Sequence, residues 1–422
     1  MTVTQKIGGV YYGWWNAAAS FVCLMFIFGV PTVLLPFVYG PVIDEFGWTR
    51  AQVTAIASFK FASAALSALA AGFLVDRFGV RKIVVGCCLV TATGMCGFLA
   101  IQSLASFYAA GVVLGLAATT IIVAVKTLMS HWFHRNQGLS LGVVMMGSSV
   151  AGIVLPFFAA PLIDAHGWRV TFALMSLGIW FVGLPLFLLV TRETPSEEEL
   201  ARELDDARPP ERPKVGPASS RDSLASVLSQ PMFWIIACAV FLISLVDQSI
   251  NQHSVLFIER DLGLGAELAA RAFSATFVAG VFAKIGFGWI YDRVSIRGIQ
   301  GSYILLAIGI ALAFPVSGLL TALVFSLVRG SAHGGLLVQK AILAKHCFGP
   351  TQLGKLIGIL TAVASAGYAV GPWAVGWMYD QHGTYRYAFA SLIGLSIVSA
   401  TLLTWVQPTY RNQLVPRSVE VS

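Results

Sequence analysis

Charged residues are scarce in this chain. Asp, Glu, Lys and Arg make up 11% of its 422 residues, while 57% belong to the apolar set AVILMFWYC. The mean hydropathy is +0.78. Soluble domains are about 25% charged, so the composition excludes a soluble globular domain. It predicts an integral membrane protein in contact with the lipid bilayer.

Cysteine is also sparse, with six residues in the whole chain. Cys347 lies at the end of an apolar run, and the other five lie within such runs: Cys23, Cys87, Cys88, Cys96 and Cys238. Cysteines in this setting behave as small buried apolar residues. We therefore expect no disulfide, no metal site and no cofactor.

The sequence lacks the short motifs of the common enzyme classes. It contains no Gly-x-Ser-x-Gly elbow, no His-Glu-x-x-His and no Walker loop. A basic groove with interleaved aromatic residues, typical of nucleic-acid binding, is also missing. These absences argue against an enzyme and against a nucleic-acid partner, and they leave ion or solute gradients as the energy source for any transport.

What the sequence has instead is a series of long apolar runs. A helix needs about 20 residues to cross about 30 Å of hydrocarbon. Twelve runs approach or exceed this length: 12–37, 51–74, 83–102, 106–130, 138–161, 169–190, 232–257, 268–290, 299–318, 320–344, 354–378 and 387–406. The sequence therefore predicts an all-α protein with twelve transmembrane helices.

The basic residues between the runs predict the orientation. With a cytoplasmic N-terminus, seventeen Lys and Arg residues fall on the cytoplasmic side and five on the other. This bias follows the positive-inside rule, so we expect both termini in the cytoplasm and a place in the inner membrane of a prokaryote. Residues 1–11 do not resemble a signal peptide, and we expect the first span to be retained.

An internal repeat defines the predicted domains. Identical residues recur at a constant offset of 216, including Asp76-Arg77 with Asp292-Arg293, Pro156 with Pro372, and Asp164 with Asp380. Each copy starts inside and has six spans, which predicts two parallel six-helix bundles related by a pseudo-two-fold axis along the membrane normal. We assign the bundles to residues 1–190 and 232–422, joined by a polar, Pro-rich cytoplasmic linker at 191–231.

The most specific motif lies between the second and third spans of each copy. It reads GFLVDRFGVRK at 72–82 and GWIYDRVSIRG at 288–298, with Ser295 in place of a glycine. This pair, with six plus six spans and a central linker, resembles the major facilitator superfamily of secondary transporters over essentially the whole chain. The resemblance implies a conformational gate role for five residues: Asp76, Arg77, Arg81, Asp292 and Arg293. An aspartate there is suited to cap a helix or pair with arginine.

Further segments resemble one branch of that superfamily. They include YYGWWNAAASF at the start, EFGWTRAQ at 45–52 and GWMYDQHGTYRYAF at 376–389. They are similar to the monocarboxylate porters and oxalate/formate antiporters. The resemblance implies a small organic carboxylate as the substrate.

Ionisable residues deep in the spans are the candidates for binding. Each costs roughly 2.5 to 3.5 kcal/mol at the centre of a span, and they are Lys60, Lys126, Asp247, Lys284, Arg329 and His333. The positions 216 residues from Lys60, Lys126, Lys284 and Arg329 hold Thr276, Ile342, Ala68 and Val113. The scaffold repeats and the charges do not, which indicates that the charges serve a ligand.

Lys284 and Arg329 are the leading substrate-binding candidates. Lys284 lies eight residues before Asp292, about 12 Å into the membrane. In the resembled branch a basic residue, usually Arg, occupies this point and pairs with the substrate carboxylate. A lysine there offers a compact charge and lacks the two-point fork. The alternatives stay open that Lys284 pairs with Asp247 and that Arg329 is a structural anchor.

Polar residues in the seventh span complete the predicted site. Ser244, Asp247, Gln248 and Asn251 follow i, i+3, i+4, i+7 spacing and share one helix face. Asp247 is the carboxylate buried deepest, so Asp247 and His333 are the candidates for proton coupling. A static ion pair or a helix–helix hydrogen bond is the alternative. Lys60, Lys126, Tyr368, Gln248 and Asn251 are the further substrate-binding candidates.

The candidate site carries more positive than negative charge, because four basic residues stand against Asp247: Lys60, Lys126, Lys284 and Arg329. This surplus predicts an anion as the transported substrate. We expect a monomeric secondary transporter that moves a small organic carboxylate by alternating access with proton symport. An anion:anion exchanger and a drug or metabolite exporter of the same fold are the alternatives. The sequence leaves the identity of the acid and the direction of transport open.

Overall fold

The computed structural model describes residues 11–133, 137–197, 199, 224–349 and 353–408. Within these ranges the chain is helical apart from short connections, and no β-strand occurs. Most of the predicted linker at 191–231 lies outside the described residues. Some residues of the connections form hydrogen bonds to helix ends. The Tyr11 hydroxyl donates to the Trp132 carbonyl, and the Thr191 N–H donates to the Phe187 carbonyl.

Eight helices are described before the linker. They are α1 Gly13–Leu24, α2 Val30–Phe46, α3 Arg50–Phe78, α4 Val80–Cys96, α5 Leu104–Trp132, α6 Gln137–Val154, α7 Pro156–Gly178 and α8 Leu184–Val190. Two π-helical turns, Met25–Gly29 and Ile179–Gly183, continue the helix between α1 and α2 and between α7 and α8.

Seven described helices lie after residue 223, and the first of them lies within the predicted linker. They are α9 Leu224–Leu228, α10 Pro231–Leu256, α11 Ala266–Val294, α12 Ile296–Ala311, α13 Leu319–Phe348, α14 Leu353–His382 and α15 Tyr385–Leu402. A π-helical turn, Phe257–Asp261, extends α10. A short 3-10 turn, Leu403–Trp405, extends α15.

The membrane-spanning segments differ from the twelve predicted runs in a few places. In the described ranges, nine helical segments are long and apolar enough to cross a bilayer, or ten if Arg50–Ala68 and Ala70–Phe78 are taken as one span. Gly138–Val154 and Ile296–Ala311 are apolar but shorter. The helix of the fifth run is interrupted just before Pro156, which lacks the N–H that would continue it.

Positive φ angles recur at two pairs of positions that are 216 residues apart. Gly79 and its counterpart Ser295 both have positive φ, at 82° and 53°. Gly167 and Gly383 form a second such pair, at 76° and 67°. Ser295 is the one described non-glycine residue with positive φ, and its Oγ lies 2.8 Å from His346 Nδ1. Positive φ therefore recurs at matched positions of the sequence repeat, even where the glycine is missing.

The chain forms two compact units. One contains residues up to Leu35 and Ala62–Lys214, and the other contains Pro36–Phe61 and residues from Val215 onward. In the first unit α4 packs against α5 and α1 against α6. In the second, α11 packs against α13, α10 against α14, and α12 against α13 and α15. The division at 191–231 between two bundles stays a prediction.

Candidate functional site

The centre of the second unit holds a carboxylate and an imidazole in contact. His333 Nδ1 lies 2.9 Å from both carboxylate oxygens of Asp247. The Asp247 side chain is 1% exposed and that of His333 is 14% exposed. The two residues lie on α10 and α13, so the pair links two helices deep in their apolar length.

Arg329 lies one turn from His333 on α13 and is fully buried. One terminal nitrogen donates to Asn251 Oδ1 at 3.3 Å and the other to Thr276 Oγ1 at 2.7 Å. The Arg329 Nε has no hydrogen-bond partner among the described residues. Its guanidinium also lies 5.7 Å from the centre of the Phe325 ring. We call Asp247, Asn251, Thr276, Arg329 and His333 the Asp247 cluster.

Glycines explain why α11 and α13 approach so closely here. A side chain at Gly330 would collide with the backbone of Thr276, and one at Gly334 with Gly280 and Ala283. Small residues four apart allow two helix backbones to approach in this way. Because Gly330 follows Arg329 and Gly334 follows His333, the same contact places both of these side chains near α11.

A second glycine pair fixes α14 against α10. A side chain at Gly367 would meet the backbone of Phe241, and one at Gly371 would meet Ser249 Oγ and the backbone of Leu245. Tyr368 is thereby held next to the polar face of α10, and its ring lies 5.4 Å from that of Phe61. Gln248 is buried on that face, and its Nε2 has no partner in the described part of the chain.

The lysines occupy different settings. Lys60 is 1% exposed, and its Nζ lies 5.4 Å from the centre of the Phe61 ring. Lys284 is partly buried on α11 and is one or two turns from Gly280 and Phe277, the face that packs against α13. The strongly exposed face of α11 carries Phe282, Ile285 and Trp289. Lys284 therefore does not share the most exposed side of its helix.

Lys126 belongs to the first unit. It lies within α5, and its side chain is exposed although its neighbours Val125 and Leu128 are buried. Lys60, Asn251, Gln248 and Tyr368 lie in the second unit with Asp247. The structure thus brings most of the predicted binding residues together in one unit.

The cluster is suited to hold an anion and a proton together. If His333 is neutral, the negative charge of ionised Asp247 and the positive charge of Arg329 sum to zero. One proton added to the Asp247–His333 pair and one monocarboxylate bound nearby contribute opposite charges, so the net charge stays at zero. The unpartnered Arg329 Nε and Gln248 Nε2 are buried donors that a carboxylate oxygen would satisfy. No group of His, Cys, Asp or Glu suited to bind a metal occurs among the described residues.

The predicted gate residues lie at helix ends. In the first copy the carboxylate that caps α4 belongs to Glu193, which accepts the backbone N–H of Arg81 at 2.7 Å. The Arg81 guanidinium donates to the Leu188 carbonyl at 2.6 Å. Asp76 and Asp292 are exposed. Arg77 lies 5.5 Å from the Phe78 ring, and Arg293 lies 3.7 Å from the Trp289 ring.

Two buried polar residues are not marked by any pattern in the sequence. Thr276 is a partner of Arg329, and a threonine within an apolar run gives no warning of this. His253 is fully buried, with Nδ1 2.8 Å from the Tyr385 hydroxyl and Nε2 2.8 Å from the Pro372 carbonyl. Because a carbonyl only accepts, Nε2 carries the proton and Nδ1 accepts from Tyr385.

Comparison with known proteins decides the family. The family model described as Major Facilitator Superfamily matches residues 17–336 and 297–420. The chain belongs to the major facilitator superfamily. The prediction made from the repeated Asp-Arg motif is therefore confirmed, and so is the prediction that the protein is a multi-pass membrane transporter and not an enzyme.

Relatives in the superfamily are similar over most of the chain. A cis,cis-muconate transport protein of Acinetobacter baylyi is 23% identical over 86% of this chain and 87% of its own length. A 4-hydroxybenzoate transporter of Pseudomonas putida is 24% identical over 94% of both chains. Monocarboxylate transporter 12-B of Danio rerio is 25% identical over 72% of this chain and 68% of its own.

Solved structures of the superfamily share the fold. A bacterial homologue of the human lysosomal transporter Spinster, in an inward-facing and occupied conformation, gives a TM-score of 0.77 at 16% identity. It covers 97% of this chain and 100% of its own. A D-xylose-proton symporter gives 0.74 at 12% identity, covering 95% and 99%. At these identities the likeness concerns the fold alone.

Proposed function

We propose that this superfamily member is a secondary active transporter of a small organic carboxylate, which it moves by alternating access together with a proton. The observation that carries the proposal is the Asp247 cluster, in which a carboxylate–imidazole pair lies one helical turn from a buried arginine. The names of the muconate, 4-hydroxybenzoate and monocarboxylate relatives support the same substrate class.

Different residues bind the substrate and carry the proton. Lys284 and Arg329 supply positive charge for the substrate carboxylate, with Gln248, Asn251, Tyr368, Lys60 and Lys126 as further contacts along its path. Asp247 and His333 accept and release the proton. Electrostatics couples the two events, because a proton on the Asp247–His333 pair cancels the negative charge of Asp247 that would repel an incoming carboxylate.

The membrane arrangement of the proposal is the one that the sequence predicts. Twelve spans form two six-helix bundles related by a pseudo-two-fold axis, and both termini lie in the cytoplasm of a prokaryote. The carrier works as a monomer. Asp76, Arg77, Arg81, Asp292 and Arg293 belong to the gate on the cytoplasmic side.

Uptake by reconstituted vesicles tests the assignment of Lys284. A thermal-shift screen of the purified carrier with benzoate, 4-hydroxybenzoate, muconate, lactate and oxalate first identifies a ligand, because binding to the folded state raises the melting temperature. We expect Lys284→Ala to lower uptake of that acid by at least about tenfold, the loss expected when a charged partner of an anion is removed.

Lys340→Ala is the matched control. Lys340 also lies in a span, in the last third of α13, and is half-buried; we expect its side chain to extend toward the membrane surface. We expect this variant to transport like the parent. Normal uptake by Lys284→Ala would overturn the role of Lys284. Uptake that does not depend on the pH gradient, but requires the organic acid to be present inside the vesicles, would favour anion exchange. A carrier that binds cationic amphiphiles and no acid would be a drug exporter.

A further inference from the structure

A cavity of about 590 Å³ lies within the second unit, between the turn that joins α11 to α12 and the chain that follows α15. Its volume falls within the roughly 300 to 1,000 Å³ of small-molecule sites. Its polar lining consists of Arg293, Ser295, Arg297, Gln300 and Thr404. The rest of the lining is apolar, and no acidic side chain occurs among the described residues that form it. We call this positively charged space the Arg297 cavity.

The turn between α11 and α12 brings two arginines to one wall of the cavity. Ser295 is the one residue between the two helices, and its N–H donates to the Tyr291 carbonyl at 2.8 Å. A side chain at Gly298 would meet Tyr291 at 3.0 Å, so the first turn of α12 packs tightly on the last turn of α11. Arg293 and Arg297 stand on either side of this tight turn.

The two arginines are held differently. The Arg293 guanidinium lies 3.7 Å from the centre of the Trp289 ring, a stacking contact that orients it. Arg297 is exposed, and no hydrogen bond or ion pair joins it to another described residue. At the position 216 residues earlier, the Arg81 guanidinium donates to the Leu188 carbonyl at 2.6 Å. The arginine of the first copy thus has a partner within the protein, whereas Arg297 can donate to a ligand.

The cavity lies where apolar spans end. The span of α11 ends at Val294, and the span that contains α15 ends at Trp405. Trp289 and Trp405 are 57% and 65% exposed, and tryptophan is enriched at the membrane–water interface. The orientation predicted from the basic residues assigns these ends to the cytoplasmic side, where anionic phospholipids make the membrane surface negative. Lipid phosphate is therefore the anion present at the level of the cavity.

An exposed apolar stripe of α12 continues from the cavity along the helix. Gly301, Ile304 and Ile308 follow Arg297 at i+4, i+7 and i+11, so all four residues share one helix face. We call Gly301, Ile304 and Ile308 the apolar stripe; all three are exposed, and a side chain added at Gly301 would meet open space. Along the helix, Arg297 and Ile308 are about 16 Å apart, close to half of the roughly 30 Å of hydrocarbon in a bilayer. This length suits one acyl chain of one leaflet, and free phosphate would leave the stripe unused.

We propose that the Arg297 cavity binds the phosphate group of an anionic phospholipid. Arg293 and Arg297 are the charged donors, and the apolar stripe is the surface for one acyl chain. Hydrogen bonds from a guanidinium to phosphate are short and strong because both partners are charged. Gln300 Nε2 donates to the Ala400 carbonyl at 3.2 Å and joins α12 to α15 beside the cavity. The bound lipid is a further ligand of the protein, independent of the acid that is transported.

Native mass spectrometry of the purified, detergent-solubilised carrier tests the site. The probes are phosphatidylglycerol and phosphatidylcholine with identical acyl chains, and we expect phosphatidylglycerol to bind more tightly. Arg297→Gln should lower its affinity about fivefold, a moderate loss because this arginine is hydrated in the free protein. Arg297→Lys keeps the charge but lacks the two-point fork, so its affinity should lie between those of the parent and Arg297→Gln.

Arg386→Gln is the matched control. Arg386 is also exposed and is also the second residue of a helix, at the end of α15 that lies away from the cavity. This change removes the same charge and should leave lipid binding at the parental level. Equal losses in Arg297→Gln and Arg386→Gln would overturn the proposal, because binding would then follow net charge alone. Equal affinity of the parent for the two lipids would overturn it as well.

Cysteine labelling locates the bound lipid. Thr404 is an exposed lining residue, and mass spectrometry separates the peptide of Thr404→Cys from those of the native cysteines. Phosphatidylglycerol should slow its reaction with a maleimide several-fold relative to phosphatidylcholine, and adding Arg297→Gln should remove most of this protection. Gln381→Cys, exposed at the end of α14 and outside the cavity lining, should react equally with either lipid present.

Two outcomes of the labelling would overturn the proposal. Equal protection of Thr404→Cys and Gln381→Cys would show that the lipid covers the surface without a site. Inorganic phosphate, added without lipid, should protect neither position. Protection of Thr404→Cys by inorganic phosphate as strong as that by phosphatidylglycerol would identify a site for free phosphate and exclude the lipid as the ligand.

Discussion

At the scale of single residues, the pairing of Asp247 with His333 is the feature on which the proposed proton coupling depends. The sequence indicated that both residues lie deep in spans, because charged and imidazole groups are costly there. It did not indicate that they pair, since that contact depends on the packing of α10 and α13. Thr276 was missed for a similar reason, because a neutral hydroxyl in an apolar run carries no charge to account for.

Replacing Asp247 by asparagine should separate binding from coupling. The amide is neutral and has nearly the shape of a protonated carboxyl group, so Asp247→Asn holds the cluster permanently in its proton-loaded charge state. We expect exchange of labelled acid across vesicles to persist, while accumulation driven by a pH gradient falls to the level of empty vesicles.

The control for this variant is Glu267→Gln. Glu267 is exposed and pairs with Arg271 one turn away on α11, so its charge should not matter for coupling. Accumulation by Asp247→Asn at the parental rate would show that the proton is carried elsewhere. A loss of both exchange and accumulation would show that Asp247 is needed for binding itself.

At the scale of helices, glycine positions decide which side chains meet. The run of apolar residues predicts that α11 and α13 are helices, but the register between them depends on Gly330 and Gly334 facing Thr276 and Gly280. The i, i+4 spacing of these glycines is the sequence signal for this close contact. The i, i+4 spacing of Gly367 and Gly371 is the equivalent signal for the close contact between α14 and α10.

Gly330→Ala should therefore weaken the fold of the second unit. A methyl group at this position collides with the Thr276 backbone, and overpacking of this kind costs about 1 to 3 kcal/mol. We expect a clear drop in the melting temperature of the detergent-solubilised carrier and weaker ligand binding, since Arg329 is displaced with its neighbour.

The matched control is Gly301→Ala on α12. No atom outside the helix lies within 4 Å of a side chain added there, and alanine stabilises a helix interior relative to glycine by roughly 0.5 to 1 kcal/mol. The melting temperature should stay level or rise. A fall in both variants of the same size would mean that the close contact between α11 and α13 does not matter.

At the scale of the whole molecule, composition predicted the all-helical membrane fold, and the repeated motif predicted the superfamily. Hydropathy located the long helices, and the offset of 216 residues located the equivalent turns at Gly79 and Ser295 and at Gly167 and Gly383. Neither hydropathy nor the repeat predicts that residues 36–61 group with the second half of the chain. That grouping rests on contacts such as Asp380 with the start of α3, between residues about 330 positions apart along the chain.

The central claim concerns the molecule as a whole: one carboxylate crosses together with a proton. The direct measurement is proton flux into reconstituted vesicles that contain a pH-sensitive dye, with equal pH on both sides and an inward gradient of the best ligand from the thermal-shift screen. Empty vesicles correct for acid that crosses the lipid unaided. The account predicts carrier-dependent acidification of the lumen that Asp247→Asn abolishes. Entry of labelled acid through the carrier without any acidification would contradict it.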